Sequence, residues 1–494
     1  MKEETMPGIH AAPAPAPAPV RTAPPVAAPF RTELIGLALF AAMLTIYELA
    51  AILNGATTTW VMGRLGTETL AAGGMVGSVL LLLYLVMQGL VQGISIVFAQ
   101  SVGAGRDQIA RSAATIALYT GLVLGLALTL VLTVLPAVFM TLPGEPRVHA
   151  LAGRYVLGLA PGIVATSMLF AQRAVIFALQ KSRMVVGLSW TAMTVNVALA
   201  YLLSSGSWGL PDLGIMGVGI ASSVVAWLQL ILQSALIARD RAVSDYFRDI
   251  WRPVPELLAP LARQCLTIGA PIAAVMAIEG LLVTGSYFLM AGVGAVQLAG
   301  HALAQQWMAI AFMAPIGISQ AVAMRIGFRI GARDAEGAAR LASAAIVLTL
   351  AVTGVIALAF LFSGDTLAHS LMGSTRAISP DSLAAATDFL GIAAIAQMMR
   401  GLIVVFAAIL RGCGDVRVAF RSVIVGYWLV GLGLAGLLAF GLGLGGIGIW
   451  MGLAAGFAYS CIALSFRVKQ TLDSINDTIL KVENGHAKFS AIGS

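Results

Sequence analysis

One carboxylate, Glu279, sits near the middle of GAPIAAVMAIEGLLVTGSYFLMAG, the otherwise uncharged apolar stretch from Gly269 to Gly292. As a helix rising about 1.5 Å per residue, this stretch reaches roughly 36 Å, enough to cross a bilayer. An ionised carboxylate at that depth is costly unless it is paired, hydrated or protonated, so its chemistry is that of an ion, proton or substrate path. A Glu that only snorkels to an interface lies within a turn of a helix end. Glu279 is more than two turns from either.

Three further charges fall inside apolar stretches. Arg400 precedes Gly412 by roughly 18 Å of helix, at a depth close to that of Glu279. Its guanidinium keeps its proton and can stand where a coupling cation would otherwise bind. Glu48 reads first as a structural partner for a polar neighbour, and Arg173, two turns from Lys181, as a side chain snorkelling to the surface. A role for Arg173 in sensing anionic substrate is the lesser reading. His301 reads as an interfacial polar residue rather than a proton relay. Met87, Met276, Met290, Met308 and Met313, with Tyr84, Tyr287, Phe288, Trp307 and Phe312, suit either packing or a pliable binding wall.

Other signals are discounted on physical grounds. Cys265, Cys413 and Cys461 lie far apart with no His or acidic cluster beside them, so neither a disulfide framework nor a metal site is expected. Gly443, Gly445 and Gly448 spell G-x-G-x-x-G without a preceding strand. Gly448, Gly452 and Gly456 instead form a four-residue repeat suited to close helix packing. No P-loop is present, so ATP drive is not expected.

The elements that must hold these groups are helices in a membrane. Hydrophobic residues make up 59% of the 494-residue chain and charged residues 10%, and the mean hydropathy is +0.93. This is an all-α integral membrane composition. The net charge of +7 resides in short loops, where it orients helices, and implies no nucleic-acid partner. Twelve apolar stretches follow one another at about 34–63, 70–102, 110–140, 150–180, 185–206, 213–239, 264–292, 297–331, 337–363, 383–412, 417–440 and 445–467. The expected organisation is a disordered Pro/Ala-rich arm (1–33), a six-helix lobe (34–239), a linker (240–263), a second six-helix lobe (264–468) and a tail (469–494). Of the 29 Lys and Arg, four lie on odd-numbered loops and adjoining helix ends (Arg64, Arg147, Arg154, Arg376) and two within stretches (Arg173, Arg400). The other 23 lie on the arm, even-numbered loops and tail, which predicts cytoplasmic termini.

The two halves repeat. An offset of 228 carries Met62, Gly66, Leu70 and Ala71 onto Met290, Gly294, Leu298 and Ala299, and Gly89, Gln92, Gly103 and Ala104 onto Gly317, Gln320, Gly331 and Ala332. Further along the offset is 231, where LGIMG from Leu213 matches LGGIG from Leu444. Six spans per half make these parallel repeats about an axis along the membrane normal, the arrangement of two bundles that rock around a central cavity.

Several motifs, taken in order, carry a family resemblance. Pro271 of G-x-P is followed eight residues later by Glu279; SSGSWGLPDLGIMGVGIAS begins at Ser204; VGAGR spans Val102–Arg106 and LRGCGDVR spans Leu410–Arg417. Over residues 34–468 the chain resembles the multidrug and toxic compound extrusion (MATE) family. The resemblance implies a twelve-helix antiporter in the bacterial inner membrane, a monomer without cofactor, expelling organic, cationic or amphipathic compounds against protons or sodium. Carried over by residue, the family acid on the seventh helix is Glu279 and the polar position on the fifth is Asn196, while a second family Asn is here Ala200. A family Asp on the first helix becomes Thr58, whose repeat mate is Ser286, and one on the tenth helix becomes Arg400. Glu48 lies roughly 15 Å along the helix from Thr58, too far to replace that Asp directly. Glu279 and Arg400 are thus the coupling candidates. The cavity candidates are Thr58, Asn196, Ser286, Met276, Tyr287, Gln305 and Gln306. The family fold puts the seventh and tenth helices in one lobe, making a Glu279–Arg400 pair available; otherwise Arg400 faces away or meets a backbone carbonyl. A lipid-linked saccharide flippase and a non-transporting scaffold are the competing functions.

Overall fold

Each half of the chain begins with two long helices joined by a turn on one glycine, Gly66 (φ 123°) and Gly294 (φ 143°). Both occupy backbone conformations that a side chain disfavours, and they are related by the offset of 228. The computed structural model describes residues 29–492 apart from 142, 207–208, 210, 249, 251–253 and 371–378. The helices are α1 (Phe30–Arg64), α2 (Thr67–Gly103), α3 (Asp107–Phe139), α4 (Pro146–Ala178), α5 (Arg183–Ser205), α6 (Gly214–Arg239), a short α7 (Arg241–Phe247), α8 (Pro255–Val293), α9 (Ala295–Gly331), α10 (Ala335–Ser370), α11 (Pro380–Gly412), α12 (Val416–Gly441) and α13 (Gly445–Ile492). Among the described residues, twelve are long and apolar enough to span a membrane.

Packing repeats with the sequence. In the first lobe α4 is central, against α2, α3 and α6; in the second α11 is central, against α9, α10 and α13. Between lobes, α1 crosses to α9 and α10 while α8 crosses to α2 and α3. The close approaches obey the same offset. A Cβ on Gly103 would stand 2.0 Å from the Phe328 carbonyl oxygen, and one on Gly331 would stand 2.0 Å from that of Gln100. Likewise Gly89 faces the backbone of Ala273, and Gly317 that of Thr45. These contacts lie in the first halves of α1 and α8 and the second halves of α2 and α9. The lobes therefore meet at the end of the bundle where α1 begins.

The same end carries a buried ion cluster. Glu33, in the first turn of α1, pairs with Arg325 at 2.8 Å and with Arg329, and Arg329 also pairs with Asp334 at 2.5 Å. An acid in the first turn also suits the helix dipole. Lys181 and Asp240 meet at 2.5 Å on the loops, and Lys181 holds the Asp240 carboxyl below the usual carboxylate range. In α12, π-helical turns at Val425–Leu432 and Leu437–Gly441 accompany close contact with α13, where Gly448, Gly452 and Gly456 face the α12 backbone.

Two boundaries differ from those expected. The arm does not extend to residue 33, because α1 starts at Phe30 and Glu33 is drawn into the ion cluster; residues 1–28 lie outside the described residues. The linker does not run to 263, since Pro255 serves as the first residue of α8 and Tyr246 packs edge-on to Phe98 with centroids 5.1 Å apart. Residues 469–492 continue α13 as helix, while the candidate spanning segment runs over Gly445–Ile475. Arg376 and Pro253 lie outside the described residues.

Gly103→Ala and Gly331→Ala should each lower stability by about 1–3 kcal/mol, since the added methyl meets a rigid backbone carbonyl. Thermal unfolding in detergent is expected to show similar drops for both and a less than additive drop for the double variant, because parting the helices for one relieves the other.

Candidate functional site

Glu279 and Arg400 face each other across the second lobe, from the middles of α8 and α11. Arg400 donates from Nε at 3.0 Å and from Nη2 at 2.7 Å to the same Glu279 oxygen, Oε1. Arg400 and Glu279 side chains are 12% and 18% exposed, so the pair is largely removed from solvent. The guanidinium carbon lies 3.7 Å from the centroid of the Phe312 ring, which supplies a cation–π face. Gly401 permits the depth of this seat: a Cβ there would come within 2.7 Å of Thr353 on α10.

The pair lines a cavity of about 20 Å³ with Ser286, Gln305, Met308 and Trp450. That is room for about one water and far too small for an organic substrate. Ser286 donates to the Val283 carbonyl at 2.6 Å and is in hydrogen-bond contact with His301 Nε2 at 3.1 Å. His301 is fully buried, edge-on to Tyr287 at 4.8 Å and Trp450 at 5.4 Å. The interfacial reading of His301 is thus corrected, because α8 and α13 close over it.

The first lobe holds a much larger cavity, about 430 Å³. Thr58 and Asn196 both line it. Asn196 donates to Asn54 Oδ1 at 2.9 Å and accepts from Ser222 at 3.3 Å, and Thr58 donates to the Asn54 carbonyl at 2.7 Å. The lining contains Arg173 but no carboxylate. Between the lobes a further pocket is lined by Tyr47, Glu48, Arg173 and Gln320 among others. Here Gln320 of α9 donates to Glu48 Oε1 at 2.7 Å, and Arg173 donates from Nη1 to the Tyr47 hydroxyl at 2.6 Å. Arg173 does not snorkel: it is 9% exposed and turned inward, held by that hydroxyl.

The remaining candidates are scattered. Met276 packs against the apolar cluster of α2–α4, Tyr287 against His301, and Gln306 is exposed and lines none of these three cavities. The structure therefore gathers Glu279, Arg400, Ser286 and Gln305 at one place and Thr58 and Asn196 at another. Sequence reasoning missed Asn54, Gln320 and Tyr47. Asn54, one turn before Thr58, was the readable signal; Gln320 was visible only as the repeat mate of Gln92.

A MatE family model matches residues 45–202 and 271–437, one segment in each lobe. The chain belongs to the MatE family. It is 31% identical over 448 residues to the probable multidrug resistance protein NorM of Rhodopseudomonas palustris, covering 90% of this chain and 93% of that one. The corresponding protein of Bradyrhizobium diazoefficiens is 30% identical over 441 residues, covering 88% and 93%. Among solved structures, the MATE transporter VcmN of Vibrio cholerae in its bent form superposes with a TM-score of 0.78 at 20% identity, covering 90% of this chain and 98% of that one. The eukaryotic MATE transporter AtDTX14 also gives 0.78, at 17% identity, covering 91% and 99%. The relatives are transporters, and the MatE chain described here is a multi-pass membrane protein rather than an enzyme.

Removing one partner of the buried pair leaves the other charge uncompensated. Arg400→Met is expected to cost about 3–5 kcal/mol, and most of that should return in the Glu279→Gln/Arg400→Met double variant. A double-mutant cycle on thermal unfolding in detergent checks this.

Proposed function

We propose that this MatE protein is a secondary active antiporter of the bacterial inner membrane. It exports small amphipathic organic compounds in exchange for protons, as a monomer working by alternating access. The Glu279–Arg400 pair is the observation that carries the reading: an acid and a permanent cation enclosed beside room for about one water. Arg400 keeps its proton, so a proton exchanged at this site moves on Glu279. Because Arg400 fills the place of a coupling cation, sodium has no seat in this lobe. The positive-inside distribution assigns the end where the lobes meet to the cytoplasm, which makes this conformation open outward. The relatives named as multidrug resistance proteins support export of foreign compounds. The flippase reading is less well supported, since Arg173 and Arg400 are the only cations lining these cavities and Arg400 is neutralised by Glu279.

Export of a fluorescent organic dye from proteoliposomes under imposed proton and sodium gradients tests the proposal. Proton-driven export is expected in the native protein, and sodium-driven export is expected to stay at background. Glu279→Gln, fixed in a neutral form, should bring proton-driven export to background while still inserting normally. Arg400→Asp should introduce sodium dependence. Strong sodium-driven export by the native protein would overturn the assignment of the coupling ion.

A further inference from the structure

The 430 Å³ cavity of the first lobe is of a size that encloses drug-like molecules. Its lining is mostly apolar and hydrogen-bonding, with Asn54, Asn196, Ser222 and Gln229 among the polar groups. Where a carboxylate would attract organic cations, Thr58 stands instead, its hydroxyl turned back onto its own helix. One ionised side chain reaches the lining, Arg173. It stands with Tyr47 and Phe170 where this cavity adjoins the pocket between the lobes, since all three line both.

Arg173 is held as a recognition group is held. Its Nη1 is fixed by the Tyr47 hydroxyl, and its guanidinium carbon lies 5.0 Å from the Tyr47 ring centroid and 5.7 Å from that of Phe170. It is 9% exposed, its Nε has no hydrogen-bond partner, and its guanidinium hydrogen-bonds the Tyr47 hydroxyl. Glu48, the nearest acid in the adjoining pocket, is occupied by Gln320 from the other lobe. Glu48 lies within electrostatic reach of Arg173 but makes no hydrogen bond to it, in contrast to Glu279, which Arg400 bonds twice. A carboxylate entering the cavity would meet the edge of the guanidinium that Tyr47 leaves free.

From this we infer that the first-lobe cavity takes organic compounds bearing an acidic group, and that Arg173 is the residue that selects them. The inference rests on the efflux reading and names its substrate class. The cation preference implied by the family resemblance does not fit a cavity whose lining charge is positive. Asn54, Asn196 and Gln229 then serve the neutral part of the molecule, and Tyr47 is a positioning residue that aims the guanidinium.

Two dyes with one xanthylium core that differ at a single carboxyl group supply the test: rhodamine 123, the methyl ester and a net cation, and rhodamine 110, the free acid, which ionises to a zwitterion. Equilibrium binding to the full-length protein in detergent is read by fluorescence polarisation. The native protein is expected to hold the acid about tenfold more tightly than the ester, as one charge-assisted pair provides. That ratio should fall to about one in Arg173→Met, survive largely in Arg173→Lys, and shrink in Tyr47→Phe, which loosens the guanidinium without removing it. A native protein that prefers the ester, or an Arg173→Met variant that weakens both dyes equally, overturns the inference. Since no gradient is imposed, failure of antiport is judged separately by the export measurement and does not alter this ratio.

Discussion

Charge inside hydrocarbon must be met by charge or by hydrogen bonds, and the placement of the interior polar groups in this bundle follows from that requirement. Glu279 is met by Arg400 within one lobe. Glu33 is met by Arg325 and Arg329 from the other lobe, Glu48 by Gln320 and Arg411 by Gln92. The last three couplings cross between lobes. The same bonds that satisfy buried charge thus hold the two halves together where α1, α2, α8 and α9 converge. Close backbone approach at Gly103 and Gly331 makes this possible, because it brings the polar side chains of facing helices within reach of one another.

The fold was largely legible in the sequence because the bilayer restricts it. An apolar stretch of sufficient length has one stable backbone solution, so hydropathy and length give twelve helices, and the 228-residue offset gives the relation between halves. Gly89 facing Ala273 while Gly317 faces Thr45 is that offset expressed as a contact. The boundaries were less legible for a local reason. Glu33 looks like the polar start of a free arm until Arg325 and Arg329 are placed beside it, and the prolines of the linker look like breakers until Pro255 proves to be a helix's first residue.

The site was legible in part. Glu279 and Arg400 stood out because isolated charges in apolar helices are expensive, and depth counted along each helix puts them at one level. Which way each side chain turns is set by packing, which hydropathy does not encode. Arg173 illustrates this: two turns from Lys181, it had the option of reaching the surface, yet the Tyr47 hydroxyl and two aromatic rings hold it inside. His301 is the converse, a residue near a helix end that becomes fully buried because Trp450 and Tyr287 close around it.

The unequal cavities bear on how the proposed exchange would be coupled. On the proposed reading, an organic molecule in the 430 Å³ cavity of the first lobe and a proton exchanged beside the 20 Å³ cavity of the second would sit in different places. Direct competition for one seat is then not the means of coupling. Two ligands at separate sites influence each other only through states that each binds differently. In this molecule the elements able to differ between such states are the interlobe bonds, Gln320 to Glu48 and Arg411 to Gln92, together with the glycine contacts beside them. Gln92 and Gln320 are repeat mates, one binding a cation from the second lobe and the other an acid from the first. If the lobes part, Glu48 loses Gln320 and keeps Arg173, which lines the same pocket and already lies within its electrostatic reach. An acidic substrate on Arg173 and Glu48 released from Gln320 would compete for one positive charge, so occupancy of the larger cavity favours the state in which the lobes still touch.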